Sequence, residues 1–172
     1  MDLKKYIRNV PDFPKPGIQF KDITTLWKDN KAFKESIDLL YQRYKDKEID
    51  KVVGAESRGF IVASPLAYLL NAGFVLVRKK GKLPYKKINV VYELEYGTDS
   101  LEMHEDAIKQ GENVLVVDDL LATGGTMGAI IKLVKKLGGN IIEAAFIVEL
   151  EPLNGRKKID APVFSLVKYQ DA

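Results

Sequence analysis

The sequence predicts an α/β fold, a central parallel sheet flanked by helices. Three observations carry that expectation. Short apolar runs of strand length, such as "KVVGA" at 51–55 and "NVLVVDD" at 113–119, are separated by segments of helical period. That alternation is what a parallel sheet with helices on both faces requires. Finally, two strand ends run straight into polar, glycine-bearing turns that open helices, "ESRG" and "DDLLATGG". In open parallel sheets such ends face the ligand.

The opening segment "MDLKKYIRNV" mixes charged and apolar residues and lacks the continuous apolar core of a signal peptide. "NKAFKESIDLLYQRYKD" places Phe33, Ile37, Leu40 and Tyr44 at helical spacing, with Asn30 as the expected N-cap. The strand "KVVGA", the turn "ESRG", a helix to Leu70 and the strand "FVLVR" follow. Within them, residues 59–77 carry no charge, close to the length of a membrane span. Pro65 and the turn signal Asn71-Ala72-Gly73 break that stretch, so it reads as a buried helix and then a buried strand. Residues 79–111 form a long insert expected to contain a hairpin. "NVLVVDD" is the next strand, and "GGTMGAIIKLVKKLGG" is a helix stopped by Gly138 and Gly139. "IIEAAFIVEL" and "VFSLV" complete the strand set. Repeats, linkers and low-complexity tracts are absent from the sequence.

At 172 residues the chain is expected to form one domain, 1–172, with a real hydrophobic core. A formal net charge of +3 is too mild to imply a nucleic-acid or membrane partner. The sequence has no cysteine, which excludes disulfides and thiolate-metal sites and fits a reducing, cytoplasmic setting.

The chemistry concentrates at "NVLVVDDLLATGGTM". Adjacent aspartates at the end of a buried strand repel each other and lose hydration, so something must meet them. The turn beyond them opens a helix, and N–H groups at a helix N-terminus form an anion site. Ala122, Gly124 and Gly125 keep side chains away from that cradle, while Thr123 and Thr126 add hydroxyl donors. Asp118 and Asp119 then suit sugar hydroxyls or a metal, and a sugar phosphate satisfies both halves. One aspartate would be enough to cap the helix. The motif lacks the Lys-Ser/Thr ending of a P-loop and the G-x-G-x-x-G of a dinucleotide fold.

"VVDDLLATGGT" resembles the phosphoribosyl-pyrophosphate motif of the type I phosphoribosyltransferases, most closely in their adenine-using branch. "PDFPKPGIQFKDIT", "GAESRGFIVASPLA", "VRKKGKLP" and "YELEYGTDSLEMHEDAI" resemble further segments of that branch in the same order, so the likeness covers nearly the whole chain. Two positions depart from the usual form: Tyr85 follows "KLP" where a small residue is common, and Lys21 stands where arginine often does.

The resemblance implies the type I phosphoribosyltransferase fold, with a small base-binding hood at about 1–28 and a flexible lid at about 79–111. It implies transfer of the phosphoribosyl group of phosphoribosyl pyrophosphate to adenine, giving AMP and pyrophosphate, with Mg2+ required. Asp118 and Asp119 would hold the ribose and stabilise its oxocarbenium-like transition state. Magnesium would be bound mainly by substrate oxygens and water, so no protein metal ligand is nominated. Ser57 and Arg58 would offer N–H groups and a guanidinium to pyrophosphate. Arg78, Lys79 and Lys82 would join them, reaching across the interface of a homodimer.

In the lid, Glu95 would handle the purine proton and Tyr96 would close over the substrate. Position alone does not separate Glu95 from Glu93, and the preference rests on the resemblance. His104 is expected to be a hydrogen-bonding lid residue. Phe20 would stack on adenine while the backbone of Gln19 and Lys21 reads its edge. Two alternatives stand beside this reading. One is a phosphoribosyltransferase for another base. The other is a non-catalytic phosphoribosyl-pyrophosphate sensor, which should carry a DNA-binding module that the sequence does not show.

Overall fold

A 3-10 turn, Leu3–Tyr6, opens the chain, and extended residues follow it. In the computed structural model, which describes residues 1–94 and 97–171, strands β1 (Arg8–Pro11) and β2 (Gln19–Asp22) pair antiparallel as a separate ribbon. The segment "PGIQFKDI" thus supplies the strand β2. A short helix α1 (Thr24–Lys28) leads into α2 (Asn30–Tyr44). The cap of α2 is Asp29 rather than Asn30: its carboxylate accepts from the N–H groups of Lys31 (3.0 Å) and Ala32 (2.9 Å). A charged acceptor one residue earlier outcompetes the amide. Ile37, Leu40 and Tyr44 are buried as their spacing requires. Burial of each aliphatic side chain contributes roughly 1.5–3 kcal/mol.

The alternating pattern then resolves into β3 (Lys51–Ala55), α3 (Arg58–Leu69), β4 (Gly73–Lys79), β5 (Lys87–Glu93), β6 (Thr98–His104), β7 (Asn113–Leu121), α4 (Gly125–Lys136), β8 (Asn140–Leu150) and β9 (Val163–Tyr169). Among the described residues these strands make one seven-stranded sheet in the order β5-β6-β4-β3-β7-β8-β9. Five neighbours, β4-β3-β7-β8-β9, are parallel. The expected hairpin in the insert is β5–β6, and it adds an antiparallel edge that the strand pattern did not disclose. The charge-free stretch divides into α3 and β4. No helix of the described residues is long and apolar enough to cross a membrane.

Alternation along the central strands sends side chains to two cores. Val52, Leu115 and Val117 pack with Ile37 and Leu40 of α2 and Val62 and Leu66 of α3. Val53, Val114 and Val116 pack on the other face with Met127, Ile130 and Val134 of α4. Helices α3 and α4 therefore lie on opposite faces, following neighbouring parallel strands β3 and β7. The chain places β4 on one side of β3 and β7 on the other. Such a reversal opens a crevice at the carboxyl ends of the strands.

Candidate functional site

Both helix N-termini open into that crevice. Helix α3 has Ser57 at its N-cap and α4 has Gly124, and neither has a side-chain capping bond. The cleft between them has a volume of about 750 Å³. The aspartates lie on its floor, although β7 continues past them to Leu121 alongside β8 rather than ending there. Ala122, Thr123, Gly124, Gly125 and Thr126 form one wall. Ser57, Arg58, Lys79 and Lys82 line the cleft as well. The structure thus gathers most of the residues that the sequence nominated.

The aspartates occupy different surroundings. A Cβ on Gly59 would lie 2.9 Å from Asp118 Oδ1, so only glycine in the first turn of α3 lets that carboxylate approach. The same oxygen accepts from the Asp119 N–H at 2.9 Å. Desolvation, and then the Asp119 charge, push the Asp118 carboxyl well above its ordinary value. Asp119 is 3% exposed, and its Oδ2 lies 3.0 Å from Arg58 Nε. That oxygen nonetheless accepts no hydrogen bond from the described residues, so the N–H is not aimed at it. A buried carboxylate oxygen with spare acceptor capacity thus belongs to a residue of the cleft floor.

Gly124 is fixed by two independent demands. Its φ of +80° lies in the left-handed region, and an added Cβ would meet the Gly155 carbonyl oxygen at 2.2 Å. The result is a wall of backbone N–H groups at the start of a 12-residue helix, with the dipole behind it.

The cationic rim is organised by a residue that the sequence reading missed. Glu56 Oε1 accepts from Lys82 Nζ at 2.6 Å, and Oε2 accepts from the Lys79 N–H at 2.9 Å and Arg78 Nε at 3.3 Å. Desolvation alone would raise this carboxyl, but Lys82, the Lys79 amide and Arg78 together hold it down at about 2. Arg78 itself does not line the cleft and reaches it only through Glu56. Tyr92 and Asp99, also unforeseen, complete the lid side, with Lys79 Nζ 3.4 Å from Asp99 Oδ2. A carboxylate directly before "SRG", facing a basic strand end, was the available signal for Glu56.

A test of the Glu56 anchor follows from its lowered pKa. Its stabilising contribution is complete above the ordinary value of 4.5 and disappears as pH falls towards about 2. Lys82 is half-exposed, so screening limits that contribution to about 1 kcal/mol. Urea unfolding of Glu56→Gln should show a deficit of that size at neutral pH that closes in acid. A gap constant across that range would remove Glu56 from this role.

The remaining nominated residues lie elsewhere. Gln19, Phe20 and Lys21 sit on β2 and do not line this cleft. Phe20 meets Phe13 edge-on at 5.2 Å between ring centres. The Lys21 ammonium is turned inward, 2.6 Å from Asp171 Oδ2 and 3.1 Å from Asn9 Oδ1, and 4.5 Å from the Tyr169 ring centre. Its side chain is thus committed to these partners. His104 accepts from the Tyr85 N–H at 3.4 Å and packs edge-on against the Tyr85 ring, consistent with a lid residue. Glu95 and Tyr96 lie outside the described residues.

Comparison with known proteins follows the same lines. A family model described as a phosphoribosyl transferase domain matches residues 23–172. The adenine phosphoribosyltransferase of Brachyspira hyodysenteriae is 59% identical over 170 residues, 98% of this chain and 100% of that relative. That of Geobacter metallireducens is 59% identical over 169 residues, 98% and 99% of the two chains. The crystal structure of adenine phosphoribosyltransferase from Thermoanaerobacter pseudethanolicus superposes with a TM-score of 0.93 at 52% identity, covering 98% of each chain. The Saccharomyces cerevisiae enzyme, solved with an imino-altritol bisphosphate and adenine, gives 0.91 at 43% identity over 96% of each.

Proposed function

This chain belongs to the adenine phosphoribosyltransferases of the phosphoribosyl transferase family, and from that membership we propose the roles of its cleft. The reaction joins adenine to the phosphoribosyl group of phosphoribosyl pyrophosphate, releasing pyrophosphate and forming AMP. One observation carries the assignment of parts: an aspartate pair, Asp119 buried and Asp118 half-buried, faces an uncapped helix N-terminus across a cleft with a cationic rim. The wall from Ala122 to Thr126 takes the sugar 5-phosphate. Asp118 and Asp119 hold the ribose hydroxyls and put negative charge beneath the carbon that becomes cationic as the bond to pyrophosphate breaks. The N–H groups at Ser57 and Arg58, the Arg58 guanidinium, Lys79 and Lys82 receive the leaving group, and Arg78 supports them through Glu56.

Adenine is read by the hood, about 1–28, with Phe20 as the stacking ring and the backbone of Gln19 and Lys21 as the edge readers. The lid, about 79–111, closes over the reacting sugar and excludes water. Within it Glu95 handles the purine proton and Tyr96 covers the substrate. The carboxylates of the cleft floor suit Mg2+, which would be held mainly by substrate oxygens and water. When bound, the ion supplies neutralisation of the charge growing on pyrophosphate.

The assembly is a homodimer. Support comes from an apolar surface on α3 and β4, where Ile61, Tyr68, Leu69, Phe74 and Leu76 are exposed, Tyr68 by 85%. A cytoplasmic setting suits a chain without cysteine.

The test uses the protein with magnesium, phosphoribosyl pyrophosphate and each purine base separately. AMP should form from adenine, with hypoxanthine slower by at least about a hundredfold. Equal turnover of hypoxanthine would overturn the base assignment, and no turnover of any base would favour the sensor alternative. Sedimentation of the same preparation should give twice the 19.3 kDa chain mass, and a monomer would remove the dimer.

A further inference from the structure

The phosphate wall is backed by a turn whose fastening lies outside the reaction. After β8, residues Gly155–Lys158 form a 3-10 turn against the start of α4. The Gly155 carbonyl oxygen lies 2.2 Å from where a Cβ on Gly124 would sit, and the Lys158 carbonyl oxygen 2.8 Å from the equivalent point on Gly128. Reciprocally, a Cβ on Gly155 would meet the Ala122 carbonyl oxygen at 2.3 Å. Turn and wall therefore touch backbone to backbone, and no intervening side chain can absorb a shift.

The turn is bolted down by Arg156. Its Nε donates to Glu149 Oε1 at 2.6 Å and its Nη2 to Glu149 Oε2 at 2.7 Å, a forked pair of fixed geometry. Nη1 donates to the Val163 carbonyl at 3.1 Å, and the Ser165 hydroxyl donates to the same Glu149 carboxylate. Glu149 is 3% exposed and stands in register beside Leu121, the last residue of β7 before the wall begins. The far end of the segment is tied to the same helix by Lys135 Nζ, which donates to the Asp160 carbonyl at 3.0 Å.

We propose that Glu149 and Arg156 are a positioning pair for phosphate binding: they hold the turn that fixes Gly124 and Gly128, and so aim the first N–H groups of α4. The inference rests on the proposed use of Ala122 to Thr126 as the 5-phosphate site. Neither residue lines the cleft. Their effect is confined to one end of it, which separates a positioning role from general support of the fold.

Arg156→Ala, Arg156→Lys and Ser165→Ala test it. Calorimetric titration gives the Kd for ribose 5-phosphate, steady-state kinetics give kcat and both KM values, and melting curves report the fold. In Arg156→Ala the ribose 5-phosphate Kd and the KM for phosphoribosyl pyrophosphate should rise by about ten- to hundredfold, as for a small displacement of binding groups. The KM for adenine at saturating co-substrate, and kcat, should stay within about twofold. Arg156→Lys should recover part of the loss, because it keeps the charge without the fork. Should Arg156→Ala fail to fold, Arg156→Lys and Ser165→Ala decide through smaller rises in the same two constants. Folded variants with unchanged phosphate affinity, or with equal losses towards adenine, overturn the proposal. A wild-type chain that makes no AMP would sink the functional reading, while the ribose 5-phosphate series would still judge the pair.

Discussion

Asp118→Asn and Asp119→Asn should each reduce turnover by about a hundred- to a thousandfold, the scale of losing one preorganised electrostatic contact in a transition state. Each replacement keeps the shape and removes the charge. Asp118 rests against Gly59 and accepts from the Asp119 N–H, and an amide oxygen can still do both. Asp119 Oδ2 accepts no hydrogen bond from the described residues, so an amide at that position orphans no donor there, although Arg58 loses an ion partner at 3.0 Å. Melting temperatures should therefore move little while kcat collapses. Wild-type kinetics in both variants would make the pair structural.

Glu95→Gln should lower kcat by about a hundredfold or more, the usual loss for a general acid or base. The affinity for phosphoribosyl pyrophosphate should change little, because the aspartates and the α4 wall are the groups proposed to hold that substrate. Glu93→Gln is the control. It stands two residues away, exposed and opposite Thr98 in the β5–β6 pairing. Strand periodicity assigns positions two apart to the same face, so the sequence offers no geometric reason to prefer one. Kinetics must choose. Loss of turnover in the Glu93 variant alone would shift the assignment by two residues and leave the reaction class standing.

The parts of the fold that were legible in the sequence were local. "KVVGA" is both the expected and the observed strand, and the helix after "ATGG" begins where its glycines allow. The aspartate pair and the phosphate wall were legible for the same reason, since strand, turn and helix follow one another within a few residues. What escaped needed distant partners. Glu56 gains its role from cations 22 to 26 positions further on, and the inward turn of Lys21 depends on Asp171, 150 positions away. The exchange of Asn30 for Asp29 as the cap is a different kind of miss: two good caps stood side by side, and charge decided. Arg78 was nominated as a pyrophosphate contact, and Glu56 holds its guanidinium outside the cleft lining of this chain.

The β5–β6 hairpin has a mechanical consequence. Its two strands are joined to each other by seven residue pairs, from Lys87↔His104 to Glu93↔Thr98, whereas the described pairing to the rest of the sheet is Arg78↔Glu102 and Lys79↔Leu101. The hairpin is a stiff unit that also rests on α4, through Val90, Leu101 and Met103. Its root in the sheet includes Arg78 and Lys79, which both donate to Glu56. A displacement of the hairpin is therefore coupled to the cation cluster that we propose receives pyrophosphate.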